Sequence, residues 1–110
     1  MCIRDRVYPA LDPERIASQS RPVLTGLLRG ELGFRGAVIT DSLEAEAVTS
    51  RSSTPVAAVR SMAAGADLLL TTGQGSYLQV LRAVRARQRA DPAFARRVRE
   101  AAARVLALRR

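Results

Sequence analysis

The stretch AVITDSLEAEAV, residues 37–48, joins an apolar run to an acidic segment. The run 37–40 is hydrophobic without alternation, which is typical of a parallel strand covered on both faces. Thr40, Asp41 and Ser42 end the run, so Asp41 stands at the carboxyl end of a predicted strand, where α/β proteins place functional side chains. Two interpretations stay open here. Asp41 caps a short helix that begins at Ser42, or it is a nucleophile, a general base or a metal ligand.

Helices and strands alternate on both sides of this stretch. Apolar spacing predicts a helix over 20–32, capped by Ser20 and ended by Gly33, and further helices over 53–65, 76–89 and 91–108. Residues 7–11 are predicted to end one strand, and residues 66–71 to form another. The order β-α-β-α-β-α-α predicts an α/β fold with a parallel sheet. Three strands cannot close a sheet, so the pattern indicates part of a larger α/β structure.

The same spacing predicts which side chains of the last three helices face the core. These are Val56, Val59, Met62 and Ala63, then Leu78, Leu81 and Val84, then Phe94, Val98, Ala101, Val105 and Leu108.

The positive charge of the chain is concentrated at its end. The net charge is +8, and residues 82–110 carry all of the excess, with ten arginines against two acids. A basic helical surface can bind nucleic acid, which leaves an Arg-rich nucleic-acid-binding segment as one alternative function. The apolar stripe of the last helix and the lack of interleaved aromatic residues favour a solvated arginine face instead. We therefore expect no nucleic-acid partner.

Composition excludes several kinds of site. The single cysteine, Cys2, cannot form an internal disulfide or a metal cluster, and the chain contains no histidine. No apolar run approaches the length that a bilayer requires. We expect neither a metal nor a cofactor.

The first six residues, MCIRDR, are expected to be foreign to the gene. Their back-translation matches the end of a transposon adapter used to prepare sequencing libraries, and its AT-rich codons contrast with the Arg-, Ala- and Gly-rich remainder. We therefore treat residues 7–110 as the protein's own, forming one domain portion, and expect the native chain to continue upstream.

Other polar residues are weaker candidates for function. Residues 73–76, Gly-Gln-Gly-Ser, open a helix after a predicted strand, where barrels often hold phosphate on backbone N–H groups. A small α/β binding module that uses this turn is a second alternative function. The alternative without a function is an ordinary tight turn between a strand and a helix. Asp67 is predicted to stabilise the turn after Gly65, and Glu44 and Glu46 are predicted to be solvated.

Several separated motifs resemble one enzyme family in the order in which they occur. LLRGELGFRGAVITDSLEAEAV, followed by AAVRSMAAGADLLLTT, is similar to glycoside hydrolase family 3, in its bacterial β-N-acetylhexosaminidase branch. VYPALDP, SQSRPVLTGLL and RRVREAAARVLALRR resemble the flanking parts of the same family. The resemblance covers residues 7–110.

The resemblance implies the C-terminal part of a (β/α)8 TIM barrel, with the sixth to eighth strands and their helices. It implies that Asp41 is the catalytic nucleophile of a retaining hydrolase that removes terminal β-N-acetylglucosamine from a carbohydrate substrate. The acid/base of this branch is a histidine that lies upstream of the matched motifs, as do the residues that grip the sugar. We therefore expect the chain to be inactive by itself.

Overall fold

A computed structural model of the chain describes residues 5–109. Residues 1–4, including Cys2, lie outside the described residues. Asp5 and Arg6 are held by the residues that follow: Asp5 accepts hydrogen bonds from the amide (3.0 Å) and hydroxyl of Ser18, and the Arg6 carbonyl accepts one from the Ala17 amide at 2.9 Å. The foreign origin of residues 1–6 stays a prediction.

The chain begins with a β-hairpin. Strand β1 (Val7–Tyr8) pairs antiparallel with strand β2 (Asp12–Ile16), and the Leu11 amide closes the turn on the Tyr8 carbonyl at 2.8 Å. The prediction that residues 7–11 end a strand of a parallel sheet is therefore wrong. Pro9 has no N–H to donate to a ladder, so the strand stops after Tyr8 and the chain turns back.

A wide helix follows a single 3₁₀ turn at Ala17–Gln19. This wide helix (Pro22–Glu31) confirms the predicted position, but its end has the five-residue spacing of a π-helix, with the Leu32 amide on the Leu27 carbonyl at 2.9 Å. Ser20 Oγ accepts the Val23 amide at 3.3 Å, as expected of a cap. Gly33 ends the helix with φ of 67°, and the Phe34 amide returns to the Leu28 carbonyl at 3.0 Å.

The two segments 37–40 and 66–71 run parallel and pair at one position. Ile39 lies opposite Leu68, with hydrogen bonds from the Thr40 amide to the Leu68 carbonyl (3.1 Å) and from the Leu68 amide to the Val38 carbonyl (3.0 Å). The predicted parallel neighbours are therefore present, as a single bridge. Ile39 is 60% exposed and Leu70 39% exposed, so these segments are not covered on both faces as predicted.

Four α-helices complete the described part of the chain. They are α1 (Glu46–Thr49), α2 (Thr54–Ala64), α3 (Ser76–Ala90) and α4 (Pro92–Ala107). Two predicted helix boundaries are confirmed. Gly65 ends α2 with φ of 135°, and Asp91 Oδ1 caps α4 by accepting the amides of Ala93 (3.0 Å) and Phe94 (3.1 Å). Within residues 5–109, no helix combines the length and apolar character that crossing a membrane requires.

The buried faces of these helices differ in part from the predicted ones. Met62, Phe94 and Ala101 are buried as predicted. The predicted core residues that are exposed instead are Val56, Ala63, Leu78, Leu81 and Leu108. The residues that replace them in the core are mostly small, which lets the helix backbones approach closely: Ala57, Ala58, Ser61, Ala64 and Val80.

The core consists of three small apolar clusters joined by one side chain. Leu43 and Val48 pack with α2 and α3, Leu24 of the wide helix packs with Ala64 and Ala66, and Met62 packs with α4. Leu69 is packed against all three clusters. The 66–71 segment thus passes through the centre of the fold.

Gly65 allows the wide helix to approach the end of α2. A Cβ at this position would lie 2.9 Å from Thr25 Oγ1 and 3.2 Å from Leu24 Cβ, and its φ is one that other residues rarely adopt. The contact is sealed by Thr25 Oγ1, which donates to the Ala64 carbonyl at 2.7 Å.

Asp67 makes more ion pairs than any other acid among residues 5–109. Its side chain is fully buried and meets three arginines from two helices: Arg29 at 2.5 Å, Arg97 at 2.6 Å and Arg104 at 3.1 Å. Its Oδ2 also accepts the Val38 amide at 3.0 Å. Burial by itself would raise the pKa of Asp67, but the Val38 amide and the guanidinium groups of Arg97 and Arg104 outweigh it and hold that pKa below its ordinary value.

This cluster corrects two expectations. Asp67 does more than stabilise the turn after Gly65, because it ties the wide helix and α4 to the central segment. The arginines of the last helix are also not uniformly solvated, since Arg97 and Arg104 point inward, with side chains 12% and 30% exposed. Arg87, in contrast, makes a surface pair with Asp91 at 3.2 Å.

Asp67→Asn is expected to destabilise the protein by about 3–5 kcal/mol, because it leaves three guanidinium groups around a neutral, buried amide. Thermal or denaturant unfolding followed by circular dichroism measures the loss. Arg99→Gln is the matched control, since Arg99 is an exposed residue of the same helix α4 that carries two of the arginines. An Asp67→Asn variant as stable as this control would contradict the role of the cluster.

Candidate functional site

Asp41 lies where the 37–40 segment leaves its parallel partner. The residue before it is fixed by Thr40 Oγ1, which accepts the Leu70 amide at 3.1 Å, and Leu43, fully buried, donates its amide to the Leu70 carbonyl at 3.0 Å. The backbone around Asp41 is therefore anchored on both sides, while the residue itself is exposed. Asp41 Oδ1 accepts the Ser42 amide at 2.8 Å.

The alternative interpretation of Asp41 as a cap for a helix beginning at Ser42 is wrong. Residues 42–45 form a turn, in which the Ala45 amide reaches the Ser42 carbonyl at 3.1 Å, and helix α1 begins at Glu46. Ser42 Oγ, and not Asp41, accepts the Glu44 amide, at 3.3 Å. Asp41 thus stands at the carboxyl end of the segment, before the turn.

Glu44 is bound to the turn that precedes α3 and is not solvated as predicted. Glu44 Oε2 accepts the Gly73 amide at 2.7 Å, the Thr72 hydroxyl at 2.9 Å and also the Thr72 amide. Glu44 Oε1 accepts the hydroxyl of Ser76. Two backbone amides and two hydroxyl groups therefore surround one carboxylate at the N-terminus of a helix.

These donors favour the ionised form of Glu44. The hydroxyl of Ser76, followed by the amides of Thr72 and Gly73, lowers the pKa of Glu44 to about 2. The group is consequently a carboxylate at any ordinary pH.

The Gly73–Ser76 turn is occupied by the protein's own carboxylate. The sequence suggested this turn as a place for a phosphate or another anion, and the structure does bring N–H and O–H donors together there. Glu44 fills that position, so the turn carries an internal anion and holds the 42–45 turn against the start of α3. The alternative function, a small binding module that uses this turn, is therefore not supported, because Glu44 occupies the donors that a ligand would need.

Ser42 and Thr72 complete a small polar network beside Asp41. Their hydroxyl oxygens are 3.2 Å apart, and Thr72 also bonds to Glu44. Sequence reasoning singled out Asp41 and missed the roles of Glu44, Thr72 and Ser76. The sequence does show a turn rich in donors and an acid at the end of the preceding predicted strand. The two are 28 to 32 residues apart along the chain, so the sequence does not reveal that they meet.

The described part of the chain contains no cluster of side chains that could bind a metal ion. Among residues 5–109, no three side chains of the His, Cys, Asp and Glu types are grouped so that they could hold an ion.

Glu44→Gln is expected to lower the unfolding temperature at neutral pH, because the amide keeps one neutral acceptor oxygen and puts an NH2 group, which cannot accept, against the remaining donors. A lowered pKa stabilises the folded state above the unfolded value of 4.5, and that contribution fades as the pH falls toward about 2. The difference between parent and variant should therefore shrink between pH 4.5 and 2, measured by thermal unfolding. Glu46→Gln, on exposed Glu46 of α1, is the control and should change little; a Glu44→Gln deficit that persists at pH 2 would oppose this account.

The chain matches a known family over almost its whole length. Residues 5–108 fit the family model of the glycosyl hydrolase family 3 N terminal domain. A curated relative, a beta-hexosaminidase of Stenotrophomonas maltophilia, is 35% identical over 81 residues, which are 74% of this chain and 24% of that protein. An uncharacterized secreted glycosyl hydrolase of Arthroderma benhamiae is 39% identical over 70 residues, 64% of this chain and 20% of the relative. The chain thus spans about a fifth to a quarter of these relatives.

A solved structure has the same fold over the described region. The beta-N-acetylhexosaminidase from Beutenbergia cavernae is 39% identical, with a TM-score of 0.87 over 94% of this chain and 31% of that one. Asp41 lies in the stretch 37–48, which is part of the motif that resembles this family. By its sequence and its mixed α/β fold, the chain belongs to glycosyl hydrolase family 3 and represents part of that family's N terminal domain.

Proposed function

We propose that this chain is the nucleophile-bearing part of a retaining glycoside hydrolase that removes terminal β-N-acetylglucosamine residues. Two observations support the substrate: relatives named as beta-hexosaminidases, and structural neighbours that include a family 3 beta-N-acetylglucosaminidase from Paenibacillus, with 34% identity and a TM-score of 0.86. The observation that carries the proposal is the position of Asp41, exposed at the end of a segment whose backbone is anchored on both sides.

In this mechanism the Asp41 carboxylate attacks the anomeric carbon of the sugar. A covalent glycosyl ester forms as the bond from that carbon to the leaving oxygen breaks, and a proton supplied by an acid neutralises the leaving group. Water then attacks the same carbon from the face that the aglycone left, as the group that gave its proton in the first step takes one from the water. This attack releases the Asp41 carboxylate and gives a sugar with retained configuration. A backbone that cannot shift would keep the carboxylate aligned through both steps.

Glu44 is unsuited to be the acid of this reaction. A general acid must hold a proton at the working pH, which requires a raised pKa. Hydrogen bonds lower the pKa of Glu44 to about 2, and they occupy both of its oxygens. The resemblance implies a histidine acid/base, and this chain has none. The proton donor would therefore come from residues beyond this sequence.

The same reasoning extends to the architecture. We infer that segments 37–40 and 66–71 are the seventh and eighth strands of a (β/α)8 barrel, an interpretation supported by their parallel bridge and by the helices between them. Exposed apolar side chains on these segments, Ile39 and Leu70, suit contacts with further strands. The hairpin β1–β2 would then belong to the connection that leads to the wide helix.

Nucleic acid is not part of this proposal. Arg97 and Arg104 are engaged with Asp67, and Phe94, the aromatic residue of α4, is buried and cannot stack on a base.

Asp41→Ala in the full-length protein is expected to lower kcat on an aryl β-N-acetylglucosaminide by about four orders of magnitude or more, because the covalent route is lost. Added azide should restore part of the turnover and give a product of inverted configuration, since the small anion takes the place of the carboxylate. Glu46→Gln is the control and should keep parent activity. Retained activity in Asp41→Ala would remove Asp41 from its role.

The 110-residue chain alone is expected to leave the same substrate intact, because the proton donor is absent. The release of the aryl group, followed by absorbance at high protein concentration, tests this. Turnover that Asp41→Ala abolishes in the isolated chain would show that a second catalytic group lies within it.

A further inference from the structure

A cleft lies between the N-terminal hairpin and α2. Its volume is about 380 Å3, and its lining comes from three separate parts of the chain: β2, the 3₁₀ turn that follows it, and the residues around α1 and α2. The lining side chains are Glu14, Arg15, Ile16, Gln19, Arg51 and Arg60.

The charge of this lining is predominantly positive. Three arginines face a single carboxylate, that of Glu14. Arg15 also acts on Asp12 of the hairpin, whereas none of the ion pairs within residues 5–109 involves Arg51 or Arg60. These two guanidinium groups offer hydrogen-bond donors in the planar arrangement that suits a carboxylate or a phosphate.

Gln19 adds a neutral donor that lacks a partner in the described structure. The residue is 5% exposed and lines the cleft, and its buried side-chain nitrogen Nε2 has no hydrogen-bond acceptor among residues 5–109. A buried N–H group without an acceptor is costly, so such groups usually mark the place of a bound ligand or water. An anion is the kind of acceptor that suits both this amide and the arginines that line the same cleft.

The size of the cleft indicates more than a bare ion. Its volume falls within the range of small-molecule sites, roughly 300–1,000 Å3. Ile16, which also lines the cleft, is 2% exposed and belongs to the core beneath it, so the charged side chains form the accessible surface.

We propose that this cleft binds a small organic anion, of about the size of a monosaccharide, through Arg51, Arg60 and the Gln19 side-chain amide. Neither Asp41 nor its polar network lines this cleft, and the proposal does not depend on the hydrolysis proposed above. Two kinds of ligand share the required chemistry, a sugar carboxylate and a sugar phosphate, and the test separates them.

The experiment measures binding to the protein by isothermal titration calorimetry, with glucuronate and glucose 6-phosphate as probes and glucose as the uncharged comparison. At least one acidic sugar should bind, and glucose should not. Arg60→Gln and Arg51→Gln should each weaken that binding about tenfold, because each removes a charge-assisted contact. Glu14→Gln should strengthen it, because the variant removes the carboxylate that repels an anion.

Two controls separate a local site from a general effect of net charge. Arg85→Gln on α3 and Glu31→Gln at the end of the wide helix change the net charge by the same amounts at exposed positions outside the cleft, and both should leave the affinity within about twofold. Circular dichroism confirms that each variant is folded. In the ¹⁵N-labelled parent, the side-chain amide signals of Gln19 should move as the ligand saturates, which tests the site without any substitution.

Several results would overturn the proposal. No binding of either acidic sugar would do so, as would equal weakening by Arg85→Gln and Arg60→Gln, or Gln19 amide signals that stay fixed at saturation. Inorganic phosphate that binds as tightly as glucose 6-phosphate would reject the sugar-sized ligand.

Discussion

The buried carboxylate of Asp67 is the interaction on which the rest of the structure depends. It connects elements that are 29 to 38 residues apart along the chain: the wide helix through Arg29, the 37–40 segment through Val38, and α4 through Arg97 and Arg104. Removing this carboxylate from water is unfavourable, and the guanidinium groups and the Val38 amide compensate for it. A chain with small apolar clusters and few aromatic residues gains from such a fixed centre, because its packing alone specifies the arrangement weakly.

The position of Asp41 follows from that centre through a short series of hydrogen bonds. Asp67 accepts the Val38 amide, which sets the register in which Ile39 meets Leu68. The same register brings Thr40 and Leu43 to Leu70, on either side of Asp41. At the far end of the 66–71 segment, Glu44 holds the turn before α3. Two carboxylates, Asp67 at the start and Glu44 at the end, therefore fix the segment against which Asp41 is placed.

Helix ends are set by residues within one turn, and the sequence predicted them well. Contacts between residues far apart along the chain could not be predicted from the sequence. Proline, glycine and capping aspartate act within one turn, so Gly33, Gly65 and Asp91 mark helix ends in the sequence as they do in the structure. The inward turn of Arg97 and Arg104 depends on a partner about 30 residues away, and composition alone makes them look like surface arginines. The apolar run at residue 7 likewise gave no sign that Pro9 would turn it into a hairpin.

The candidate site also has one part that the sequence predicts and one part that only the fold reveals. The motif identified Asp41 as a candidate from its own neighbours, while the environment of Glu44 required the fold, because its donors come from the turn before α3. Glu44, three residues after Asp41, is surrounded by donors that fix its charge and its position, whereas Asp41 is exposed on an anchored backbone. A nucleophile needs an ionised oxygen that a substrate can reach, and a carboxylate that organises a turn needs both oxygens engaged. The hydrogen bonds of Glu44 therefore exclude Glu44 from the role of nucleophile, which is consistent with the proposal that Asp41 is the reacting group.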